Sequence, residues 1–189
     1  CQPSAGVPRF APICEWVQII LVNAQDYCWF GLGGNRGEVR HNLRRARELI
    51  DSMGLGALCT SRLYRSEPWG YRQQEEFINQ VVGIEPNISV DHALELIQEF
   101  EQNEGRERTI KWGPRTIDVD ILYWPEQIRN ETRLTVPHPR LHQRRFVLEP
   151  WVELAPDLVI PGLDHSLQQL LKICPDTGWL EALSPCASS

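Results

Sequence analysis

The apolar residues of this chain follow two rhythms. Tyr27 to Leu32 is a short, nearly continuous apolar run, the mark of a buried strand. Val39, Leu43, Ala46 and Ile50 recur at helical spacing, while the arginines at 40, 44, 45 and 47 read as a solvated face. Gly54 and Gly56 are expected to end that helix. Ala57 to Arg65 and Phe77 to Ile84 read as strands, with a loop at Ser66–Tyr71 between them. Ser89 is a good N-cap with Asp91 in the first turn. Ala93, Leu96, Ile97 and Phe100 carry the helix to about residue 103, and Gly105 closes it. Gly113-Pro114 turns the chain, and from Thr116 the pattern alternates. Ile117, Val119 and Ile121 point one way; Thr116, Asp118 and Asp120 point the other. Arg144 and Arg145 lead into a helix from Val147 to Leu154 that Pro150 kinks or confines, and Ser166 caps a short helix over Leu167–Lys172. The order β-α-β-β-α-β predicts an α+β, ferredoxin-like sandwich with C-terminal additions; a doubly wound α/β sheet is the alternative.

A chain of 189 residues is long enough for one domain. It divides into an N-terminal extension of unknown role (1–26), a folded unit (27–174) and a C-terminal tail (175–189). The net charge of −6 argues against a nucleic-acid partner. Trp16 to Val22 is apolar but too short to cross a bilayer, and it lacks the flanks of a signal peptide. The six cysteines form no C-x-x-C pair and no zinc spacing. These features describe a cytoplasmic protein with reduced thiols, expected to be a monomer acting on small molecules without membrane contact.

Composition bounds the class; particular residues suggest the chemistry. Gly31-Leu32-Gly33-Gly34-Asn35 lacks the third glycine of a dinucleotide loop, and the chain has no G-x-x-x-x-G-K-S/T, so these glycines read as a tight strand-to-helix turn. Phe77 and Asn79 share a strand face. That pair fits the seat of a flat heterocycle, though alone a packed Phe beside a hydrogen-bonded Asn is the commoner arrangement. Asp118 and Asp120 set two carboxylates on one strand face, their Cα atoms roughly 6.5–7 Å apart. Like charges so close are costly without a cation between them, and Mg²⁺ takes one or two carboxylates with phosphate oxygens and water. A bare Asp-x-Asp is more often a solvated edge. Here Arg106, Arg108, Lys111 and Arg115 precede it, which suits a polyanion bridged by metal. His138 stands between Pro137 and Pro139 and is held stiffly near Arg133, Arg140, Arg144 and Arg145.

The string Trp112-Gly113-Pro114-Arg115-Thr116-Ile117-Asp118-Val119-Asp120-Ile121-Leu122 resembles the signature of the 6-hydroxymethyl-7,8-dihydropterin pyrophosphokinase family. Tyr64 to Pro68, Phe77-Ile78-Asn79, Glu101 to Arg108, Leu134 to Pro139 and Arg144 to Pro150 follow the family's order, so the likeness covers about 27–174. It implies transfer of pyrophosphate from ATP to the pterin hydroxymethyl group in folate biosynthesis, with release of AMP. It implies two Mg²⁺ ions on Asp118 and Asp120. Arg106 and Arg115 would steer the phosphates, with Arg108 and Lys111 on a closing loop. His138 and Arg144 would contact ATP phosphates, with Arg133 and Thr135 nearby and Glu101 on the adenosine side. Phe77 and Phe146 would sandwich the pterin; Asn79 and the backbone of Ser66, Pro68 and Trp69 would read its edge; Trp112 would cap it. Gly34 stands where many relatives have Ser, and Pro139 where some have an aromatic residue. A metal-dependent nucleotidyl- or glycosyltransferase with the same Asp-x-Asp logic is a rival. So is a ferredoxin-like binding module whose acidic pair is structural.

Overall fold

The computed structural model describes residues 23–105 and 113–184. Its elements run β1 (Cys28–Gly34), α1 (Val39–Asp51), β2 (Gly54–Thr60), β3 (Tyr64–Ser66), β4 (Phe77–Pro86), α2 (Val90–Asn103), β5 (Asp118–Tyr123), β6 (Arg129–Asn130), β7 (Thr135–Val136), α3 (Arg145–Val152), α4 (Leu167–Lys172) and β8 (Leu180–Ala182). The main sheet has the order β5-β1-β4-β3-β8, with β2 also on β4, and every pairing is antiparallel. With β2 and β3 counted as one strand interrupted along β4, this is the expected ferredoxin-like sandwich. β6 and β7 form a separate two-stranded ribbon.

One face of the sheet is closed by α1 and α2. Phe30, Leu32, Val82, Ile84, Val119 and Ile121 pack there against Leu43, Ala46, Ile50, Ala93 and Ile97. The other face is covered over part of its area by α3 and α4, where Trp29, Val81 and Leu122 meet Leu148, Trp151 and Leu167. Trp29 and Trp151 are both buried, their ring centroids 5.8 Å apart and tilted by 45°, a favourable aromatic arrangement. Among the described residues no helix covers the rest of this second face, and a cavity opens there.

Several local expectations hold. Ser89 Oγ accepts from His92 N at 3.3 Å at the start of α2, and Gly105 ends its last turn with φ +71°. Ser166 and Gln169 form a capping box on α4. Others need correction. The strand expected over 57–65 is broken at Ser61, whose hydroxyl accepts from Val81 N at 3.0 Å in place of a ladder partner. Arg47 does not share the solvated face: it donates to the buried Gln80 at 2.9 Å. Gly54 does not stop α1; it opens β2, where a Cβ would lie 1.9 Å from Ile84 Cγ1. The folded part starts before Tyr27, since Gln25 and Ala24 accept from Tyr123 and Trp29 side chains. Residues 180–182 are no loose tail but strand β8 on β3. Among the described residues no helix is long and apolar enough to cross a membrane.

Candidate active site

The cavity is a product of strand register. On β1, Gly33 lies opposite Asp118 on one side and Asn79 on the other; Gly31 lies opposite Asp120 and Val81. Side chains two apart share a face, so both carboxylates, both glycines and Asn79 face the uncovered side. The glycines leave a bare strip of backbone between the carboxylates of β5 and the amide of β4. A Cβ at Gly33 would sit 3.1 Å from Asn79 Oδ1. Gly31 and Gly33 therefore belong to a strand and form a floor; the tight turn expected of them is not what they make. Phe77, Trp69 and Phe146 wall the cavity, and Ser66, Arg115 and Arg144 reach it.

At the acidic end each carboxylate holds an arginine. Arg115 Nη1 contacts Asp118 Oδ2. Arg144 Nη1 donates to Asp120 Oδ2 at 2.8 Å, and its guanidinium lies 5.4 Å from the Trp69 ring centroid and 5.7 Å from that of Phe146. Arg144 thus joins the charged end to the aromatic end. Burial works to raise the Asp120 carboxyl, but the charges of His138 and Arg144 outweigh it and hold the carboxyl below the usual range. His138 Nε2 lies 3.9 Å from Asp120 Oδ2. Its Nδ1 accepts from Arg140 N at 3.2 Å, which leaves the proton of the neutral ring on Nε2. Burial pushes His138 below the ordinary imidazole range against the pull of Asp120.

At the other end, buried Asn79 donates from Nδ2 to Ser66 Oγ at 2.9 Å. That bond fixes the amide plane, with the carbonyl oxygen toward the Gly33 strip. Asn35, missed in the sequence, holds the strand entry: its Oδ1 accepts from Arg115 N at 2.8 Å, and its Nδ2 donates to Glu75 O at 2.9 Å. An asparagine after three glycines was the available signal, and it was absorbed into the turn reading. The period-two glycines at 31 and 33, matching the period-two aspartates at 118 and 120, signalled the bare floor.

Arg115, Asp118, Asp120, Arg144, Ser66, Trp69, Phe77, Asn79 and Phe146 all meet at this cavity. His138 stands behind Asp120, and Pro68 lines a neighbouring cavity. Other expected residues lie elsewhere. Glu101 is buried on α2 and accepts from Val119 N at 2.9 Å, bracing the free edge of β5 from inside. Arg133 reaches Glu95 at 3.1 Å, and Thr135 Oγ1 lies 3.4 Å from the Glu131 carbonyl. Arg106, Arg108, Lys111 and Trp112 lie outside the described residues.

The antiparallel α+β sandwich thus carries one cavity that runs from aromatic walls into paired carboxylates and arginines, an arrangement suited to a small phosphorylated molecule. Residues 29–156 match the model of the family described as 7,8-dihydro-6-hydroxymethylpterin-pyrophosphokinase (HPPK), and the chain belongs to that family. It is 38% identical over 151 residues to the 2-amino-4-hydroxy-6-hydroxymethyldihydropteridine pyrophosphokinase of Pseudomonas aeruginosa, covering 79% of this chain and 93% of the relative. It is 36% identical to the folic acid synthesis protein fol1 of Schizosaccharomyces pombe, covering 79% of this chain and 21% of that longer protein. The fold is also that of a solved Plasmodium falciparum HPPK-DHPS with pterin and p-hydroxybenzoate. That match has a TM-score of 0.57 at 14% identity and covers 78% of this chain but only 41% of the solved one.

Proposed function

We propose that this protein transfers the terminal pyrophosphoryl group of ATP to the hydroxymethyl oxygen of 6-hydroxymethyl-7,8-dihydropterin in folate biosynthesis. In that step a bond forms between the hydroxymethyl oxygen and the β-phosphorus. The bond from that phosphorus to the bridging oxygen on the α-phosphate breaks, AMP leaves, and the hydroxyl proton is lost. The observation that carries the reading is the continuity of one cavity from Phe77, Asn79 and Phe146 to Asp118 and Asp120, with Arg144 touching both ends.

The donor set fits a hard dication. Two carboxylates on one strand face supply oxygen ligands, and each is now neutralised by an arginine able to move onto a phosphate. Among the described residues no three His, Cys, Asp or Glu side chains gather to hold a metal, so the remaining ligands would be phosphate oxygens and water. Asp118 and Asp120 would hold two Mg²⁺ ions, which supply charge neutralisation at the phosphates and acidify a bound hydroxyl. Arg115 and Arg144 bind phosphate oxygens. His138 donates from Nε2 toward the same region. Phe77 and Phe146 grip the ring faces while Asn79 hydrogen-bonds its edge. By the family resemblance, Arg106, Arg108 and Lys111, which lie outside the described residues, would add positive charge for the phosphates, and Trp112 would cap the pterin. By the family resemblance Glu101 would serve the adenosine side, with Arg133 and Thr135 near the ATP phosphates. Positioning and charge carry such a reaction, and no side-chain base is required.

The test is a product assay with purified protein, ATP, Mg²⁺ and the hydroxymethyl dihydropterin. Pterin-dependent AMP with a pterin diphosphate is expected, and omission of Mg²⁺ should abolish it. ADP as product would mean attack at the γ-phosphorus and would overturn the proposal.

A further inference from the structure

The C-terminal segment lies beyond residues 29–156, the part that defines the family, yet it touches the walls of the cavity at two points. Asp176 accepts from the backbone N–H of Arg145 at 3.0 Å through Oδ2 and from Gly178 N at 3.0 Å through Oδ1. Arg145 is the first residue of α3, and the side chains before and after it, Arg144 and Phe146, both line the cavity. Asp176 therefore satisfies a first-turn donor that no side chain of α3 caps, with a negative charge at the positive end of the helix. The second point is Glu67, in the loop after β3, which accepts from Trp179 N at 3.2 Å and itself lines the cavity. Strand β8 then seats the segment along β3: Arg65 pairs with Glu181 and lies 5.7 Å from the Trp179 ring centroid, and Leu183 N donates to Leu63 O at 2.8 Å.

We infer that residues 176–183 are a brace for the ring-binding half of the site, and that Asp176 is its positioning residue, acting through Phe146 and the Glu67 loop. This rests on the pterin reading above. The asymmetry between the two ends makes the inference sharp. Arg144 is fixed at its tip by Asp120, so losing the anchor at Arg145 does not free it. Phe146 is held by packing and by the Arg144 guanidinium 5.7 Å from its ring, and the loop carrying Glu67 and Trp69 is tied to the C-terminal segment where Glu67 accepts from Trp179 N. Loosening the brace should weaken the pterin side and spare the nucleotide side.

Two variants test this, neither at a residue that lines the cavity. Asp176→Ala removes the anchor. Gly178→Ala adds a methyl group 2.8 Å from Glu67 Oε1 and 3.1 Å from Asp176 Oδ1, crowding both contacts with one substitution. Each should raise KM for the pterin about tenfold, the scale of one lost cap-type hydrogen bond. KM for ATP should stay within about twofold, and Asp176→Asn, which keeps one acceptor, should fall between. A purely structural role would lower the melting midpoint and leave the two KM values in their wild-type ratio. Hydrogen exchange supplies a readout free of turnover: the Arg145, Gly178 and Trp179 amides should lose protection in both variants while β1 and β4 keep theirs. Unchanged exchange and an unchanged pterin KM would overturn the brace. A wild-type protein that makes no pterin diphosphate would overturn the proposed function, and exchange would still decide the brace.

Discussion

The two faces of the sheet are built from the same strands and do different work. Toward α1 and α2 the strands present Phe30, Leu32, Val82, Ile84, Val119 and Ile121, and the face is closed. Among the described residues the opposite face is closed only where Trp29 and Leu122 meet Trp151 and Leu148. Beyond that patch, the positions alternating with buried Val119 and Ile121 are Asp118 and Asp120, and those alternating with Phe30 and Leu32 are Gly31 and Gly33. Because the strand period is two, each strand writes a core on one side and a site on the other, and a one-residue slip would exchange them. The site is thus held by the packing behind it: its carboxylates cannot shift without disturbing Val119 and Ile121.

The largest effect should come from cutting the acidic end of the open face. Asp118→Ala and Asp120→Ala should each lower kcat by about two to three orders of magnitude, the scale of losing one preorganised electrostatic group. Their circular dichroism should match wild type, since both carboxylates lie off the closed core. Wild-type turnover in either would remove that carboxylate from the proposed metal site. Loss of fold would show that the two faces are not separable.

Next come two glycines on the same side of the sheet. Gly83 lies under the closed patch, where a Cβ would come within 2.5 Å of the Trp29 ring. Gly83→Ala should destabilise the protein by about 1–3 kcal/mol, the cost of overpacking a filled core, read by denaturant midpoint. Gly33 lies under the open cavity. Gly33→Ala should leave stability within about 0.5 kcal/mol and raise KM for the pterin about tenfold, because the methyl group stands over the floor beside Asn79 Oδ1. If Gly33→Ala instead unfolds the protein and spares KM, the cavity floor is a packing surface like the rest.

Much of this architecture is legible in the chain, for a physical reason: β5, α1 and α2 are strongly periodic. Ile117, Val119 and Ile121 define one face of β5 without ambiguity, and Val39, Leu43, Ala46 and Ile50 define α1. The capped helices also read correctly, because Ser89 and Ser166 act on N–H groups three residues away. What failed was long-range. Gly31 and Gly33 look like a turn until their register against Asp118, Asp120 and Asn79 is known. The bond from Val119 N to Glu101 depends on how α2 is turned against β5, which no local pattern gives. The last strand, Leu180–Ala182, is three residues long, and only β3 gives it a reason to be extended. A long specific string points to the candidate site residues; local pattern alone does not say that Ser66, Asn79, Asp120 and Arg144 meet.

The smallest effect concerns the closed face. Cys28 is 1% exposed, and its Sγ donates to Ile84 O at 3.1 Å. Burial is the main cause that pushes its thiol up to about 12. At pH 8 to 9, peptide mass mapping after brief alkylation should find Cys28 unmodified in the native protein and modified once it is unfolded. The same shift has a sign for stability. The folded state keeps this proton after the unfolded chain has released its own near 9, so ionisation favours the unfolded chain. The contribution is intact below pH 9 and is lost as pH climbs toward 12. Cys28→Ala should therefore flatten the alkaline fall in stability while leaving KM for both substrates unchanged, because Cys28 does not line the cavity. A change in either KM would mean that the two faces are mechanically coupled through β1.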